Sequence, residues 1–302
     1  MIAYKTLRKR QRALQAVTGM KSHEFEELAE DFAEAEDRAK KKFLKTQVRL
    51  RAPGAGPSPA LSSPEDRLLF ILVYFRMYPT QDLQGLLFDL SQPWANRWIH
   101  RLTPILEDTL GQRLELPERN SIRTLPELFE KFPEMMFVID GTDRPIQRPK
   151  CSVRQKKCYS GKQKRHTVKN TVVTGAKTNK IVMLGQTREG RIHDKRLAEE
   201  DGFLFPEGST LFQDSAYQGY KPPGVKTFFQ PKKKPRGGEL KKSEKAVNKA
   251  ISSVRVRVEH AIRGAKRNRI ARDTYRNRRP GFVDTVMVVS CGLSNFTTGL
   301  RT

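Results

Sequence analysis

The pattern of apolar and polar positions along the chain predicts a compact helical segment. The longest unbroken apolar run, Leu68–Phe75, follows Ser63-Pro64-Glu65-Asp66, where proline and two acids suit the first turn of a helix. The helix should end at Tyr78-Pro79, because a residue before proline avoids the α conformation. Two shorter helices are predicted next, Gln81–Leu90 capped by Thr80 and one capped by Ser91. Three helices joined by short turns indicate a helix-turn-helix or another small helical bundle.

The third of these helices has two distinct faces. Trp94, Trp98 and Leu102 recur at helical spacing and are predicted to enter the core. The opposite face then presents Asn96, Arg97, His100 and Arg101, side chains that contact grooves or phosphates in nucleic acids. We therefore expect Arg97 and Arg101 to bind DNA if this unit is a helix-turn-helix.

From Pro133 onward the pattern is that of strands. Met135–Ile139 is apolar on both faces, which predicts a central strand, and it ends in Asp140. The other predicted strands are Thr167–Thr174, Ile181–Leu184, Ser209–Gln213 and Lys226–Gln230. Helices are predicted at His193–Glu200 and Leu240–Ala271. This order predicts an α/β or α+β domain with a mixed sheet.

The remaining segments complete a four-part division. Residues 1–50 read as a charged helical segment, which we interpret as an arm, a dimerisation helix or a poorly ordered lead-in. Residues 51–64 are rich in Pro, Gly, Ser and Ala and are predicted to be a linker. Residues 65–132 then form the helical domain and residues 133–302 the sheet domain.

The charge of the chain indicates which class of molecule it binds. The 302 residues include 58 Lys and Arg against 33 Asp and Glu, a net charge of +25. From Arg144 to Arg188 there are thirteen basic residues and no acid, and from Lys226 to Arg279 nineteen basic residues face four acids. A solvated surface explains one such stretch, but two favour a nucleic acid as partner. Lys232, Lys233 and Lys234 in the second stretch are candidate phosphate contacts.

Other classes of protein are disfavoured. Eight apolar residues in a row fall well short of the roughly 20 that a membrane-spanning helix needs. Three cysteines cannot build a disulfide scaffold in a chain of this length, and the N-terminus lacks the apolar stretch of a secretory signal. We expect a cytoplasmic protein that acts at the nucleoid.

Three acids stand in settings that do not otherwise favour carboxylates. Asp140 and Asp214 each follow a predicted strand, and Glu259 lies alone on a strongly basic helix. Each acid alone is compatible with capping a turn or pairing within the helix. On neighbouring strands, however, the two aspartates would lie close enough to share a divalent ion, and Glu259 would complete the site. Oxygen ligands suit Mg²⁺ or Mn²⁺, and two such ions can support an in-line phosphoryl displacement.

These residues resemble the DDE transposases of bacterial insertion sequences, in the group related to Harbinger-type transposases. The resemblance rests on Asp140-Gly141-Thr142-Asp143, on Asp214-Ser215-Ala216-Tyr217-Gln218-Gly219-Tyr220, and on Arg255, Glu259 and Lys266 on one helix. His193-Asp194 also matches a His-Asp pair of this group, whereas Ser252 stands where related enzymes have Tyr. The resemblance covers about Glu65 to the C-terminus.

The resemblance implies an RNase H-like catalytic core preceded by a helix-turn-helix. It implies two divalent ions held by Asp140, Asp214 and Glu259, with Arg255 and Lys266 as basic partners on DNA, and metal-dependent cleavage and transfer of DNA strands. Arg255 and Lys266 lie about 40° and about 20° from Glu259 around the helix, so all three share a face. We expect double-stranded DNA as substrate and a homodimer or larger homo-oligomer on it.

Alternatives remain open at this point. The chain could be a catalytically silent or domesticated DNA-binding descendant of a transposase, or a basic RNA-binding protein. Asp143 is interpreted as a turn acid and Asp194 as a helix cap with a possible site role. Tyr217 and Tyr220 are equally compatible with stacking on a flipped base and with packing the turn.

Overall fold

The computed structural model describes residues 2–46, 60–119, 134–235 and 237–301. It divides into two compact units. The N-terminal unit comprises Met1–Glu115 with Arg267–Ile270, and the C-terminal unit comprises Leu116–Lys266 with Ala271–Thr302. Most of the predicted linker 51–64, and residues 120–132 of the predicted helical domain, lie outside the described residues. The exact four-part division therefore stays a prediction.

The described N-terminal unit is built from α-helices. They are α1 (Tyr4–Leu7), α2 (Gln11–Thr18), α3 (Ser22–Thr46), α4 (Pro64–Met77), α5 (Gln81–Phe88) and α6 (Gln92–Gln112). Helix α4 is its centre, since every residue from Arg67 to Phe75 is buried. The unbroken apolar run Leu68–Phe75 therefore forms a helix that is buried on all sides, as expected for a helix without a polar face.

Side-chain caps fix where two of these helices begin. The Ser63 hydroxyl accepts the backbone N–H of Asp66 at 3.1 Å, and the Thr80 hydroxyl accepts that of Leu83 at 3.2 Å. Each bond satisfies an N–H group that has no partner within its helix. Ser91 precedes α6 without a side-chain cap, and α6 continues to Gln112, well beyond the predicted segment.

The first 46 residues belong to the same helical unit. Ile2 donates its backbone N–H to the Leu87 carbonyl at 2.7 Å, and the Tyr4 ring stacks on Phe25 at 4.6 Å. Glu36 of α3 is buried and pairs with the buried guanidinium of Arg67 at 2.8 Å. For residues 2–46, the interpretation as an arm or a poorly ordered lead-in is therefore wrong. A role in dimerisation stays a prediction.

The C-terminal unit is built around a mixed sheet flanked by helices. In chain order its elements are β1 (Met136–Pro145), α7 (Ser152–Cys158), β2 (Tyr159–Ser160), β3 (Arg165–Gly175), β4 (Ile181–Leu184), β5 (Arg188–Glu189), α8 (Asp194–Asp201), β6 (Ser209–Phe212), β7 (Val225–Phe229), α9 (Lys242–Ala265) and α10 (Phe282–Gly299). The strands follow the order β2-β3-β1-β6-β7, and β4 and β5 also pair with β3. Strand β1 is antiparallel to β3 and parallel to β6, so the mixed α/β sheet is confirmed.

Successive residues of β1 enter two different cores, one on each face of the sheet. Val138 packs with Val258 of α9 and Met287 of α10. Phe137 and Ile139 pack on the other face, in the core that contains Tyr217. This alternation follows from the period of two residues along a strand, and burial on both faces explains the unbroken apolar run.

Several predicted boundaries were wrong. Strand β1 does not end at Asp140 but continues to Pro145, because residues 140–145 keep their antiparallel pairing with β3. The long helix α9 ends at Ala265 rather than Ala271, and a separate turn of 3₁₀ helix covers Arg269–Ala271. The pattern also missed α10, whose long apolar run is buried beneath the sheet. In the described ranges, no helix is long and apolar enough to cross a membrane.

Candidate functional site

Asp140 lies within β1, and Asp214 lies two residues beyond the end of β6, the strand that pairs with β1. Val138 of β1 pairs in parallel with Phe212 of β6, and each aspartate lies two residues further along its chain. Paired strands are only ~4.8 Å apart, so this pairing brings the two carboxylates close together. The Asp214 carboxylate accepts the backbone N–H of Ser215 at 2.6 Å, and the Gln230 amide binds the Asp214 carbonyl at 2.7 Å.

Arg255 lies beside Asp214. It extends from α9, with Nη1 3.6 Å from Asp214 Oδ1, and its side chain is mostly buried. Burial raises the pKa of Asp140 to about 6; the Gly141 N–H and Arg255 oppose this rise, while Asp194 and Asp214 add to it. Asp140, Asp194, Asp214 and Arg255 thus form one electrostatic group.

Asp194 approaches the backbone of β1 from the opposite face of the sheet. A Cβ atom built on Gly141 would lie 2.6 Å from Asp194 Oδ1, so the close approach requires glycine. Lys169 of β3 holds the same oxygen at 2.9 Å and also donates to the Ile192 carbonyl at 3.1 Å. The cap of α8 is His193, whose Nδ1 accepts the Lys195 N–H, so the interpretation of Asp194 as the cap is wrong.

Tyr217 lies beneath this contact and is fully buried. Burial raises its pKa well above the usual value, and Asp140 and Asp194 raise it further. In the described part of the chain its hydroxyl has no hydrogen-bond partner. Tyr217 and the nearby Tyr220 are both core residues, so packing is the correct alternative and stacking on a flipped base is wrong for this structure.

Asp143 is a strand residue rather than a turn acid. It pairs with Lys169 in the sheet and accepts the Thr167 hydroxyl at 2.9 Å. Its carbonyl binds the Lys266 ammonium at 2.8 Å. Burial lowers the pKa of Lys266 to about 8, with Arg144 adding to the effect and Asp143 and Asp140 opposing it. Lys266 is therefore anchored to β1 just beyond Asp140.

Glu259 occupies the flank of α9 between these two basic residues. Arg255 reaches Asp214 and Lys266 reaches the Asp143 carbonyl, so this flank faces the strand positions that carry the acids. Glu259 itself is exposed to solvent. Among the described residues, no group of three or more His, Cys, Asp or Glu is arranged to hold a metal ion. The structure brings Asp140 and Asp214 together but does not bring Glu259 to them.

The three candidate lysines in the second basic stretch differ in their surroundings. Lys232 pairs with Glu244 of α9, and its backbone N–H donates to the Asn248 side chain at 2.9 Å. Lys233 and Lys234 are exposed. Their role on DNA stays a prediction, and Lys232 would first have to leave Glu244.

Helix α6 exposes two stacked pairs of side chains. The Arg97 guanidinium lies 4.9 Å from the Trp94 ring centroid, and that of Arg101 lies 5.0 Å from Trp98. Trp94 is 53% exposed, so placing it in the core was wrong. The buried face of α6 carries Ala95, Ile99, Leu102 and Leu106. Cation–π contact with Trp orients the arginine fork on the outer face.

Comparisons with known proteins agree with this arrangement. Residues 139–295 match the model of the DDE superfamily endonucleases, and residues 59–112 match the helix-turn-helix of DDE superfamily endonucleases. The chain belongs to the DDE superfamily endonucleases. It has the helix-turn-helix followed by a DDE domain built on a mixed α/β sheet, as the sequence predicts.

Two curated relatives support the same family. The chain is 34% identical to a probable transposase for insertion sequence element IS702 of Microchaete diplosiphon, over 83% of each chain. It is 30% identical to a putative transposase for insertion sequence element IS112 of Streptomyces albus G, over 69% of this chain and 71% of the relative. No solved structure gives a significant match.

The sequence indicated some site residues and missed others. Strand-end acids pointed to Asp140 and Asp214, and helical spacing placed Arg255 and Lys266 on one flank of α9. The roles of Gly141 and Lys169 were missed. A glycine immediately after a strand acid was the available signal for Gly141, since glycine within a strand often marks a close approach. Lys169 had no signal in a stretch with many basic residues.

Proposed function

We propose that this DDE endonuclease is a transposase that binds the ends of a DNA transposon and carries out metal-dependent strand cleavage and strand transfer. The observation that carries the proposal is the position of Asp140 and Asp214, each two residues beyond the paired Val138 and Phe212, with Arg255 beside Asp214, in a chain of this family. The relatives named as transposases and the helix-turn-helix support the same activity and DNA as its substrate.

The donor set fits a divalent cation. Asp140 and Asp214 supply carboxylate oxygens, which Mg²⁺ and Mn²⁺ prefer. Burial raises the pKa of Asp140, and the carboxylates of Asp194 and Asp214 raise it further, so a cation placed beside them would relieve the repulsion. We propose that Asp140 and Asp214 hold the metal, that Glu259 is the third ligand, and that two ions are bound. When bound, such ions activate water and stabilise both oxygens of an in-line displacement on phosphorus.

The protein residues around the acids have separate tasks in this proposal. Arg255 holds the Asp214 carboxylate in place and offers its guanidinium to a phosphate. Lys266, fixed to the Asp143 carbonyl, places a second cation beside the same strand. Asp194, Lys169 and Gly141 fix the backbone of β1 from the other face, which limits movement of Asp140. Helix α6 supplies Arg97 and Arg101 for binding of the transposon end.

The test is nicking of duplex DNA that carries the transposon ends, with Mg²⁺ or Mn²⁺. Asp140→Ala, Asp214→Ala and Glu259→Ala should each abolish nicking yet bind DNA nearly as well as the parent, because one acid changes a net charge of +25 very little. Glu199→Ala removes an exposed acid of α8 and serves as the matched control, which should nick normally. Bound Mn²⁺, counted by electron paramagnetic resonance, should fall in the three site variants only.

Each contrary outcome has a definite meaning. Nicking by Asp214→Ala would exclude this site as the catalytic one. If the parent protein bound transposon ends tightly but never nicked them with either metal, the catalytically silent DNA-binding alternative would replace the proposal. Tighter binding to RNA than to duplex DNA would favour an RNA-binding protein instead.

A further inference from the structure

A basic groove lies in the N-terminal unit, outside the matched helix-turn-helix. It has a volume of about 780 Å³ and is lined by Arg8, Lys9, Gln11, Arg12, Gln15, Lys21, Ser22, His23 and Glu26. All nine lining side chains are polar. The first 23 residues of the chain carry six Lys and Arg and no Asp or Glu, so the basic character belongs to the whole segment.

Local structure concentrates the cations in this groove. Gln11, Arg12 and Gln15 share one face of α2, because residues three and four apart are neighbours on a helix. Arg8 follows the last turn of α1, and Lys21 precedes the first turn of α3. Ile2 and Tyr4 fasten the segment to α5 and α4, through the Leu87 carbonyl at 2.7 Å and the Asp66 carboxylate at 2.8 Å.

The groove carries more positive than negative charge, which suits it to bind an anion. Four cations line it against one carboxylate, Glu26, which already accepts the Tyr4 hydroxyl at 3.0 Å. The salt bridges described nearby engage Arg38, Arg67 and Arg113 instead. In the part of the chain that the structure describes, the shielded Ser22 hydroxyl has no hydrogen-bond partner. Ser22 opens α3, a helix of 25 residues, whose positive end adds to the attraction.

We infer that this groove binds backbone phosphates of duplex DNA, as a contact separate from the one made by α6. The inference rests on the proposed function, since it adds a second contact to the same DNA-binding unit. An acidic protein partner would bury apolar side chains at the centre of its interface, and this lining has none. A polyanionic backbone needs only cations and hydrogen-bond donors such as Gln11 and Gln15.

The groove is distant from the half of α6 that carries Arg97 and Arg101. Arg113, at the end of α6, pairs with Glu27 and Asp31 of α3, and Asp108 pairs with Arg38 further along α3, so the two helices run antiparallel here. The sixteen residue steps from Arg97 to Arg113 span ~24 Å of helix. Contacts in the groove therefore add affinity that does not depend on base sequence, whereas α6 supplies the preference for transposon ends.

The test uses the full-length protein and compares two double variants of equal charge. Arg8→Gln/Arg12→Gln removes two groove cations, and Lys41→Gln/Lys45→Gln removes two exposed cations from the far end of α3. Binding to end-containing and to unrelated duplexes is measured over a range of salt concentrations. All four side chains are exposed, and thermal melting verifies that both variants fold.

The groove variant should lower the slope of log affinity against log salt by about 1.8, at about 0.9 per phosphate contact. The parent should then lose about 12-fold more affinity than this variant between roughly 50 and 200 mM salt. Its ratio of end binding to unrelated binding should stay unchanged, Lys41→Gln/Lys45→Gln should behave as the parent, and Arg8→Lys/Arg12→Lys should keep the slope.

Equal slopes for the groove variant and its control would overturn the inference while leaving DNA binding by α6 intact. A large loss in the end-to-unrelated ratio would also overturn it, because the groove would then be reading sequence. Absence of DNA binding by the parent would instead remove the proposed function itself, together with the groove as a DNA contact.

Discussion

Gly141 and Asp194 meet directly behind the pair of candidate metal ligands. The Asp194 carboxylate occupies the place where any other residue at 141 would carry its Cβ atom. Lys169 neutralises this carboxylate, so the contact fixes β1 at the residue that follows Asp140. The exact position of Asp140 therefore depends on packing across the sheet as well as on its own strand.

Replacement of Gly141 by Ala tests this dependence. The added methyl group would overlap Asp194 Oδ1 and should cost about 1–3 kcal/mol of unfolding free energy, the usual effect of overpacking. Nicking should fall more than DNA binding, since β1 moves under Asp140. Gly161→Ala is the matched control, because no atom lies within 4 Å of its added Cβ. Denaturant unfolding and nicking rates measure both effects, and equal results for the two variants would contradict the role of Gly141.

At the residue scale, the sequence pattern singled out candidate site acids but not the contacts that surround them. Carboxylates after apolar runs predicted Asp140 and Asp214, because few residue types suit both a buried strand and a phosphoryl-transfer site. Asp194 and Tyr217 could not be assigned from sequence, since their surroundings come from α8 and β1 meeting across the sheet. Residues brought together by tertiary packing leave no local pattern.

Among the elements, α3 joins the first residues of the chain to the core of the N-terminal unit. The link is the buried ion pair between Glu36 and Arg67, and the Arg67 guanidinium also donates to the Leu61 and Ser62 carbonyls. Glu36→Gln would leave a buried guanidinium without its counter-charge and should destabilise the unit by about 3–5 kcal/mol. Glu34→Gln, on the exposed side of the same helix, should change stability by less than about 0.5 kcal/mol. Thermal unfolding would show no difference between them if α3 were only loosely attached.

A substitution in helix α6 tests whether the stacking of Arg97 on Trp94 contributes to DNA recognition. Arg97→Lys keeps the charge but loses the planar fork that lies over Trp94. We expect it to lower discrimination between end and unrelated DNA by about 5- to 150-fold, the worth of ~1–3 kcal/mol for a bidentate base contact, with an unchanged salt slope. Arg97→Ala should lower both quantities. Full discrimination by Arg97→Lys, in competition binding, would mean that the stack on Trp94 is not used.

Elements were predictable where an unbroken apolar run was flanked by turn or cap residues. The strand Ile181–Leu184 and the start of α4 follow directly from apolar runs and a Ser-Pro cap. Trp94 was misplaced because its spacing with Trp98 suggested a buried face, while the real buried face is the stripe of Ala95, Ile99 and Leu102. Helical periodicity gives two candidate faces when both carry large side chains, and only the packing partners decide between them.

At the scale of the whole molecule, the dominant feature is the net charge of +25, and its effect on DNA binding can be measured directly. If both basic stretches contact DNA, the protein should touch on the order of six phosphates or more, and affinity should fall by about 10³-fold between roughly 50 and 200 mM salt. Such a surplus would also offset the carboxylates of the proposed site, which repel the phosphate that must approach them.

Variants of Lys232, Lys233 and Lys234 measure how much each residue of this basic stretch contributes to DNA binding. Lys233→Gln/Lys234→Gln should flatten the slope of log affinity against log salt by about 1.8 if both touch phosphate. Lys232→Gln should have a smaller effect than Lys233→Gln, because Lys232 must first give up Glu244 before it can bind DNA. Equal effects of Lys232→Gln and Lys233→Gln, in titrations on the same duplex, would show that the pair with Glu244 breaks freely. A slope near zero in the parent protein would mean that the +25 charge serves another partner, and the transposase proposal would then depend on the acids and the family alone.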